Sequence, residues 1–168
     1  MNDFNRAFAI IVGVEGGFSG DANDPGNWTG GGIGQGALKG TKFGISAASY
    51  PAEDITGLTL ERAKAIYERD FWNETRCGEL PWPLSLMLFD AAVQHGSRSA
   101  IRLLQLSLEI KVDGNFGPAT LVAVKSRPVT ETTALFGVAR EAYYRQLKNF
   151  PIYGKGWIKR LFTVALQA

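Results

Sequence analysis

The stretch from Leu84 to Gln94 constrains this 168-residue chain most, because it is apolar on nearly every side of a helical projection. A helix with no polar face has nothing to offer water and belongs at the centre of its fold. The segments expected to wrap it also carry a helical period. Phe4, Phe8, Ile11 and Glu15 follow i, i+4, i+7, i+11 spacing, which predicts an amphipathic helix. Asp3 is its expected N-cap, and Gly16-Gly17 its expected stop, since glycine supplies the left-handed C-cap conformation. Thr59 caps a second predicted helix reaching about Trp72, with Leu60, Ala63, Tyr67 and Phe71 on one face. Pro81 and Pro83 punctuate the approach to the central helix. Ser97 or Ser99 then opens a helix through Leu108, Gly114 to Pro118 reads as a turn, and Ala119 to Lys125 as a short helix. Thr130 to Lys148 is a long amphipathic helix, and Trp157 to Leu166 closes the chain. No run alternates with period two for long enough to build a large sheet. The expected fold class is mainly α.

One region breaks the pattern. Between Ser19 and Gly40, eight residues are glycine, and Asp24-Pro25-Gly26 lies near the head. This predicts a Gly-rich loop or small hairpin after the first helix, long enough to suggest function or a lid. A short ordered segment, Thr41 to Ser46, follows. The length suits a single compact domain over 1–168. Apolar content of 45% and charged content of 20% fit a globular chain. A net charge of +2 favours approach to an anionic polymer, but without a basic tract it does not argue for nucleic acid. Cys77 is the single cysteine, which excludes an internal disulfide and a multi-thiolate site. The N-terminal apolar run, Phe8 to Val14, is too short to span a bilayer and has no basic leader. The expectation is a monomer with no stable membrane insertion, no signal peptide and no cofactor.

Several polar residues stand where chemistry is possible. Glu15 shares the apolar face of the first predicted helix and lies in its last turn. Burial and the negative end of a helix both disfavour a carboxylate, so Glu15 suits a general acid. A glutamate slipping into solvent, or pairing with a Lys or Arg, is the alternative. Asp24, nine residues on, is either a turn former or the ionised partner that a glycosidase pair requires. Thr41 is able to hold a water or simply to cap, and Trp28 to stack on a sugar or anchor the loop. Asp90 and Gln94 are polar exceptions on one face of the central helix. They either knit the core or line a cleft, and His95 adjoins them. His95 is the sole histidine, so no metal site is expected.

Taken in order, the motifs are similar to those of a known family. Glu15-Gly16-Gly17-Phe18, Asn23-Asp24-Pro25-Gly26 and Thr41-Lys42-Phe43-Gly44-Ile45-Ser46 resemble the N-terminal signature of glycoside hydrolase family 108, phage and bacterial N-acetylmuramidases. The resemblance continues through Leu60 to Trp72, Leu80-Pro81, Phe89 to Gly96 and Val112 to Thr120, and ends at Gly156-Trp157 and Arg160. Val112 to Thr120 resembles a peptidoglycan-binding motif. The resemblance implies a lysozyme-like helical domain, with 1–96 as a catalytic half and 97–168 as a peptidoglycan-binding-like half without a linker. It implies Glu15 as the acid that cuts the β-1,4 bond between N-acetylmuramic acid and N-acetylglucosamine. Analogy with phage-type lysozymes adds Asp24 and Thr41 as the groups orienting water. Trp28, Lys42, Phe43, Asp90, Gln94 and His95 are then candidate substrate contacts, and bacterial peptidoglycan the partner. A phage enzyme made in the host cytoplasm and acting on the wall, in the periplasm of a Gram-negative host, is the implied setting. Many members pass directly from Asp-Pro-Gly-Gly to Thr-Lys-Tyr-Gly, whereas here Asn27 to Gly40 intervenes. A lytic transglycosylase with one glutamate and a non-catalytic wall binder are the competing expectations.

Overall fold

The computed structural model describes residues 2–13 and 17–167, and among these the architecture is helical apart from one two-stranded ribbon. The helices are α1 (Asp3–Ile11), α2 (Leu60–Tyr67), α3 (Leu84–His95), α4 (Ser97–Ser107), α5 (Pro118–Lys125), α6 (Val129–Gln146) and α7 (Phe150–Ala165). The ribbon pairs β1 (Thr41–Lys42) with β2 (Ile45–Ser46). Contacts divide the chain into two compact units, one of Met1–Ile11 with Tyr67–Ala168 and one of Val12–Ile66. Helices α3 and α4 pack together within the first unit.

The first unit is organised around α3. Every residue from Leu84 to Ala92 is buried, as a nearly all-apolar helix demands, and α1, α4, α6 and α7 pack against it. Aromatic rings fill one side. Phe4 lies 5.6 Å from Trp72 and 6.0 Å from Phe89 between ring centroids, and Trp72 meets Phe89 edge-on at 5.5 Å. Burying each such side chain contributes roughly 1.5–3 kcal/mol.

Three boundaries differ from the sequence reading. Helix α1 ends at Ile11, not at Gly16-Gly17. Gly13, with φ +69°, takes the left-handed position after the last turn, so the earlier glycine ends the helix although the apolar spacing runs on to Glu15. Its N-cap is Asn2, whose Oδ1 accepts the Asn5 N–H at 2.9 Å, which moves Asp3 to the first helical position. Second, α2 keeps α geometry only to Tyr67 and then widens into a π-type turn over Glu68–Asn73. The extra residue in the turn shifts the stripe, so that Trp72 rather than Phe71 is buried. Third, α7 begins at Phe150, seven residues before Trp157. Pro151 sits in its first turn, where no N–H is needed.

The second unit has little regular structure but is closely hydrogen-bonded. Ser19 and Thr41 exchange backbone bonds of 2.8 Å in both directions. Thr41 pairs with Ser46 and Lys42 with Ile45 across the ribbon. Phe43 and Gly44, both at positive φ (50° and 75°), form its two-residue turn, the pattern that matches strand twist. Residues 28–38 form an irregular arm in which Trp28 bridges Leu38 and the Thr29 N–H donates to the Ala37 carbonyl at 3.0 Å. Gly40 is buried at φ +84°, where an added Cβ would stand 2.5 Å from the Ser19 carbonyl oxygen; only glycine fits this closure.

Candidate active site

Glu15 lies outside the described residues. The candidates that are described form two groups, one in each unit.

The second unit holds Asp24, Trp28, Thr41, Lys42 and Phe43, and with them one residue that sequence reasoning missed. Asn27 is fully buried. Its Nδ2 donates to the Asp21 carbonyl at 2.9 Å, and its Oδ1 accepts the Thr41 hydroxyl at 2.7 Å. Its own carbonyl accepts the N–H groups of both Lys39 and Gly40 at 3.0 Å. The long excursion after Asp24-Pro25-Gly26 is thereby closed at its base, and Thr41 comes back beside the Asp24 turn although 17 positions separate them in sequence. The only signal for Asn27 was an amide directly after a turn, too common to single out.

Asp24 is exposed and accepts the Gly26 N–H through Oδ1 at 2.8 Å, capping a short 3-10 turn over Pro25–Asn27. It is a turn former, with Oδ2 outside that bond. Thr41 is half-buried. With its proton committed to Asn27, its oxygen lone pairs stay fixed in direction. The Trp28 indole N–H donates to the Ala22 carbonyl at 3.0 Å, which anchors the arm. Lys42 reaches the Thr56 carbonyl at 3.0 Å and stands 5.6 Å from the centre of the Phe43 ring.

In the first unit Asp90, Gln94 and His95 lie along α3 and meet α6 and α7. Asp90 has no exposed surface, and both its oxygens are taken. Oδ2 accepts from Arg140 at 2.6 Å, and Oδ1 from Arg160 at 2.9 Å. Arg140, equally buried, also donates to the Met87 carbonyl at 3.2 Å, the Tyr144 hydroxyl at 2.8 Å and the Gln94 Oε1 at 3.3 Å. The Tyr144 hydroxyl donates in turn to Gln94 at 3.0 Å. Of the two readings of Asp90, the structure gives the knitted core. This corrects the expectation that Asp90 touches substrate, because a fully buried carboxylate with both oxygens occupied has no free face. His95 packs between Tyr143 and Tyr144 at 5.2 and 5.3 Å, with Nε2 buried and without a hydrogen-bond partner among the described residues. Burial foremost, then the Arg140 charge, pushes the imidazole down to about 4, so it is neutral near pH 7.

Elsewhere, Gln105 saturates its amide in the turn that resembles a wall-binding motif. It donates to Asp113, Asn115 and Thr120 and accepts the N–H groups of Asp113 and Gly114. Phe116 is the buried anchor of that turn. Cys77 is buried, and its thiol is pushed up to about 12 by desolvation, which leaves no thiolate nucleophile at neutral pH. Among the described residues no group of three or more His, Cys, Asp or Glu is placed to hold a metal ion.

The family model described as Glycosyl hydrolase 108 matches residues 8–96, and that described as Predicted Peptidoglycan domain matches residues 96–162. The solved structure of SagA from Brucella abortus is similar, with a TM-score of 0.80 and 26% identity. The alignment covers 98% of this chain and 92% of that one. No curated protein sequence matches the chain.

Proposed function

Because the chain belongs to the glycosyl hydrolase 108 family, and so is a glycoside hydrolase that degrades peptidoglycan, we propose that it is an N-acetylmuramidase cutting the β-1,4 bond between N-acetylmuramic acid and N-acetylglucosamine. The observation that supports this reading is the family match across residues 8–96, a span that includes Glu15-Gly16-Gly17, followed without a gap by the peptidoglycan match. Glu15 protonates the leaving glycosidic oxygen. Water attacks the anomeric carbon from the opposite face and passes a proton to Asp24, at the oxygen outside the turn bond, while the fixed lone pairs of Thr41 orient it. With two carboxyls in these roles the configuration inverts, which needs them roughly 6.5–9.5 Å apart. Trp28, Lys42 and Phe43 are the sugar contacts of this scheme.

The biological reading is a monomeric phage endolysin, made in the host cytoplasm and acting on the wall in the periplasm of a Gram-negative host. No helix among the described residues is long and apolar enough to cross a membrane.

The decisive variant is Glu15→Gln, which keeps shape and removes the proton donor. Release of reducing ends from purified sacculi should fall about 1000-fold, within the range of roughly 10²–10⁴ for loss of a general acid. Near-normal clearing by the folded variant overturns the scheme. A lytic transglycosylase, which needs one glutamate only, is favoured by a single observation, the commitment of Asp24 Oδ1 to Gly26. Product mass separates the two, since a transglycosylase leaves an anhydro sugar. Asp24→Asn separates them again. It keeps the turn and should lower kcat about tenfold if Asp24 directs water, a smaller change than loss of the acid itself.

A further inference from the structure

A cleft of about 330 Å³ opens in the first unit, lined by Ile10, Ile11, Gly156, Lys159, Arg160, Thr163 and Val164. Its character comes from the ion-pair network behind it. Arg140 and Arg160 share the single carboxylate of Asp90, which leaves one positive charge in surplus. That surplus lies toward Arg160, the one partner with exposed side-chain surface, at 38%. Lys159 beside it is exposed and makes no hydrogen bond or ion pair among the described residues, and the Thr163 hydroxyl is likewise unengaged. The side chains of Ile10, Ile11 and Val164 add apolar surface. The cleft therefore combines a guanidinium held by a buried carboxylate, a free ammonium and a hydroxyl with an apolar wall. That combination suits a carboxylate with a methyl group next to it.

We propose that this cleft is a carboxylate subsite that grips the acid groups of the peptidoglycan strand. The proposal rests on the peptidoglycan reading above. Two sources in the polymer carry the required chemistry, the lactyl group of a muramic residue that bears no peptide and the alanyl ends of an attached peptide, for each places a methyl beside a free carboxyl. A plain N-acetylglucosamine oligomer carries neither. Arg160 is held in place by Asp90, so Asp90 is a positioning residue for the subsite and does not contact the polymer.

The test is calorimetric titration of the full-length Glu15→Gln protein, which binds without turnover, with three probes. These are a chitin oligomer, a peptide-free glycan fragment with free lactyl acids, and a peptide-bearing fragment of equal length. Both acidic probes, or whichever one carries the recognised acid, should bind more tightly than chitin. Adding Lys159→Gln should weaken the acidic probes about threefold to fivefold, the scale of one exposed ion pair, with Lys159→Arg restoring them. The difference should shrink with added salt. Thr163→Val, which keeps shape and removes only the hydroxyl, should give a smaller loss on the same probes. Preference for the peptide-free fragment assigns the lactyl acid, and preference for the peptide-bearing one the stem. Equal affinity of all three probes, no binding of either acidic probe, or an equal effect of Lys159→Gln on chitin overturns the subsite. Digestion of sacculi by the wild-type protein is scored separately, so failure of the muramidase reading is distinguishable from failure of the subsite.

Discussion

The two units of this molecule are held together by different physics. The Tyr67–Ala168 unit with α1 gains its order from apolar burial around α3, and adds one buried ionic network in which Asp90, Arg140, Gln94 and Tyr144 bond to one another. The Val12–Ile66 unit has few regular elements, and its path is fixed by directed hydrogen bonds converging on one amide, Asn27. Non-directional burial tolerates exchange of one apolar group for another of similar volume. A directed bond to a buried atom does not, because the abandoned partner keeps its desolvation cost. The difference teaches that sensitivity to mutation should be spread thinly over the first unit and concentrated at a few polar atoms in the second, with the ionic network as the exception within the first.

The largest expected effect tests that exception. Arg140→Met leaves Asp90 buried with Arg160 alone, and removing one partner of a buried pair costs about 3–5 kcal/mol. Urea unfolding should show this loss, and Tm should fall on the order of 10 °C. The double variant Asp90→Leu, Arg140→Met should recover much of it. If the single variant is as stable as the parent, the network is not what holds α6 to α3.

A smaller effect is expected at Asn27. Asn27→Ala abandons the Asp21 carbonyl and the Thr41 hydroxyl, at about 1–3 kcal/mol for the unsatisfied partners. Hydrogen exchange should quicken at the amides of Lys39, Gly40 and Thr41 while those of Leu84 to Ala92 keep their protection. Equal acceleration in both places would break the contrast between the units.

The smallest effect is a pH dependence. His95 is held to about 4 in the folded protein against an ordinary value of 6.5. The unfolded chain therefore takes up a proton first as the pH falls. The contribution of neutral His95 is complete above 6.5, declines between 6.5 and about 4, and is constant below that. His95→Gln should flatten this part of the stability curve, read as Tm against pH. Carboxylates held low by hydrogen bonds, Asp54 by Gly57 and Asp113 by Asn115, lose their contribution only at more acidic pH and should leave this window unaltered.

Much of the helical frame was legible because apolar spacing reports burial directly. The central helix and α4, α5 and α6 stand within a residue or two of where periodicity puts them, the ordinary uncertainty of helix ends. The end of α1 was misplaced because periodicity cannot say which of several glycines takes the left-handed position. The start of α7 was missed because Gly154 and Gly156 lower helix propensity, and packing overrides it; Gly154 is buried within the helix. Among site residues, Glu15 stood out by motif and Asp90 by being polar on an apolar helix. The partner that decides the role of Asp90, Arg140, lies 50 positions away, and local spacing carries no information about such pairs. Asn27 was invisible for the same reason, since its importance arises only when the chain returns at Thr41.

The pinned base at Asn27 also makes the arm a separable part. Its two ends are fastened to each other by bonds that do not depend on what lies between Thr29 and Leu38. The entropy of closing a loop rises only slowly with its length, by about 0.6 kcal/mol per doubling. The arm is thus an insertion port. Its tip, from Gly30 to Gly36, is a place where chain can be trimmed, lengthened or exchanged for a recognition segment while Asp24 and Thr41 stay in register, as a tool head is changed on a fixed shank.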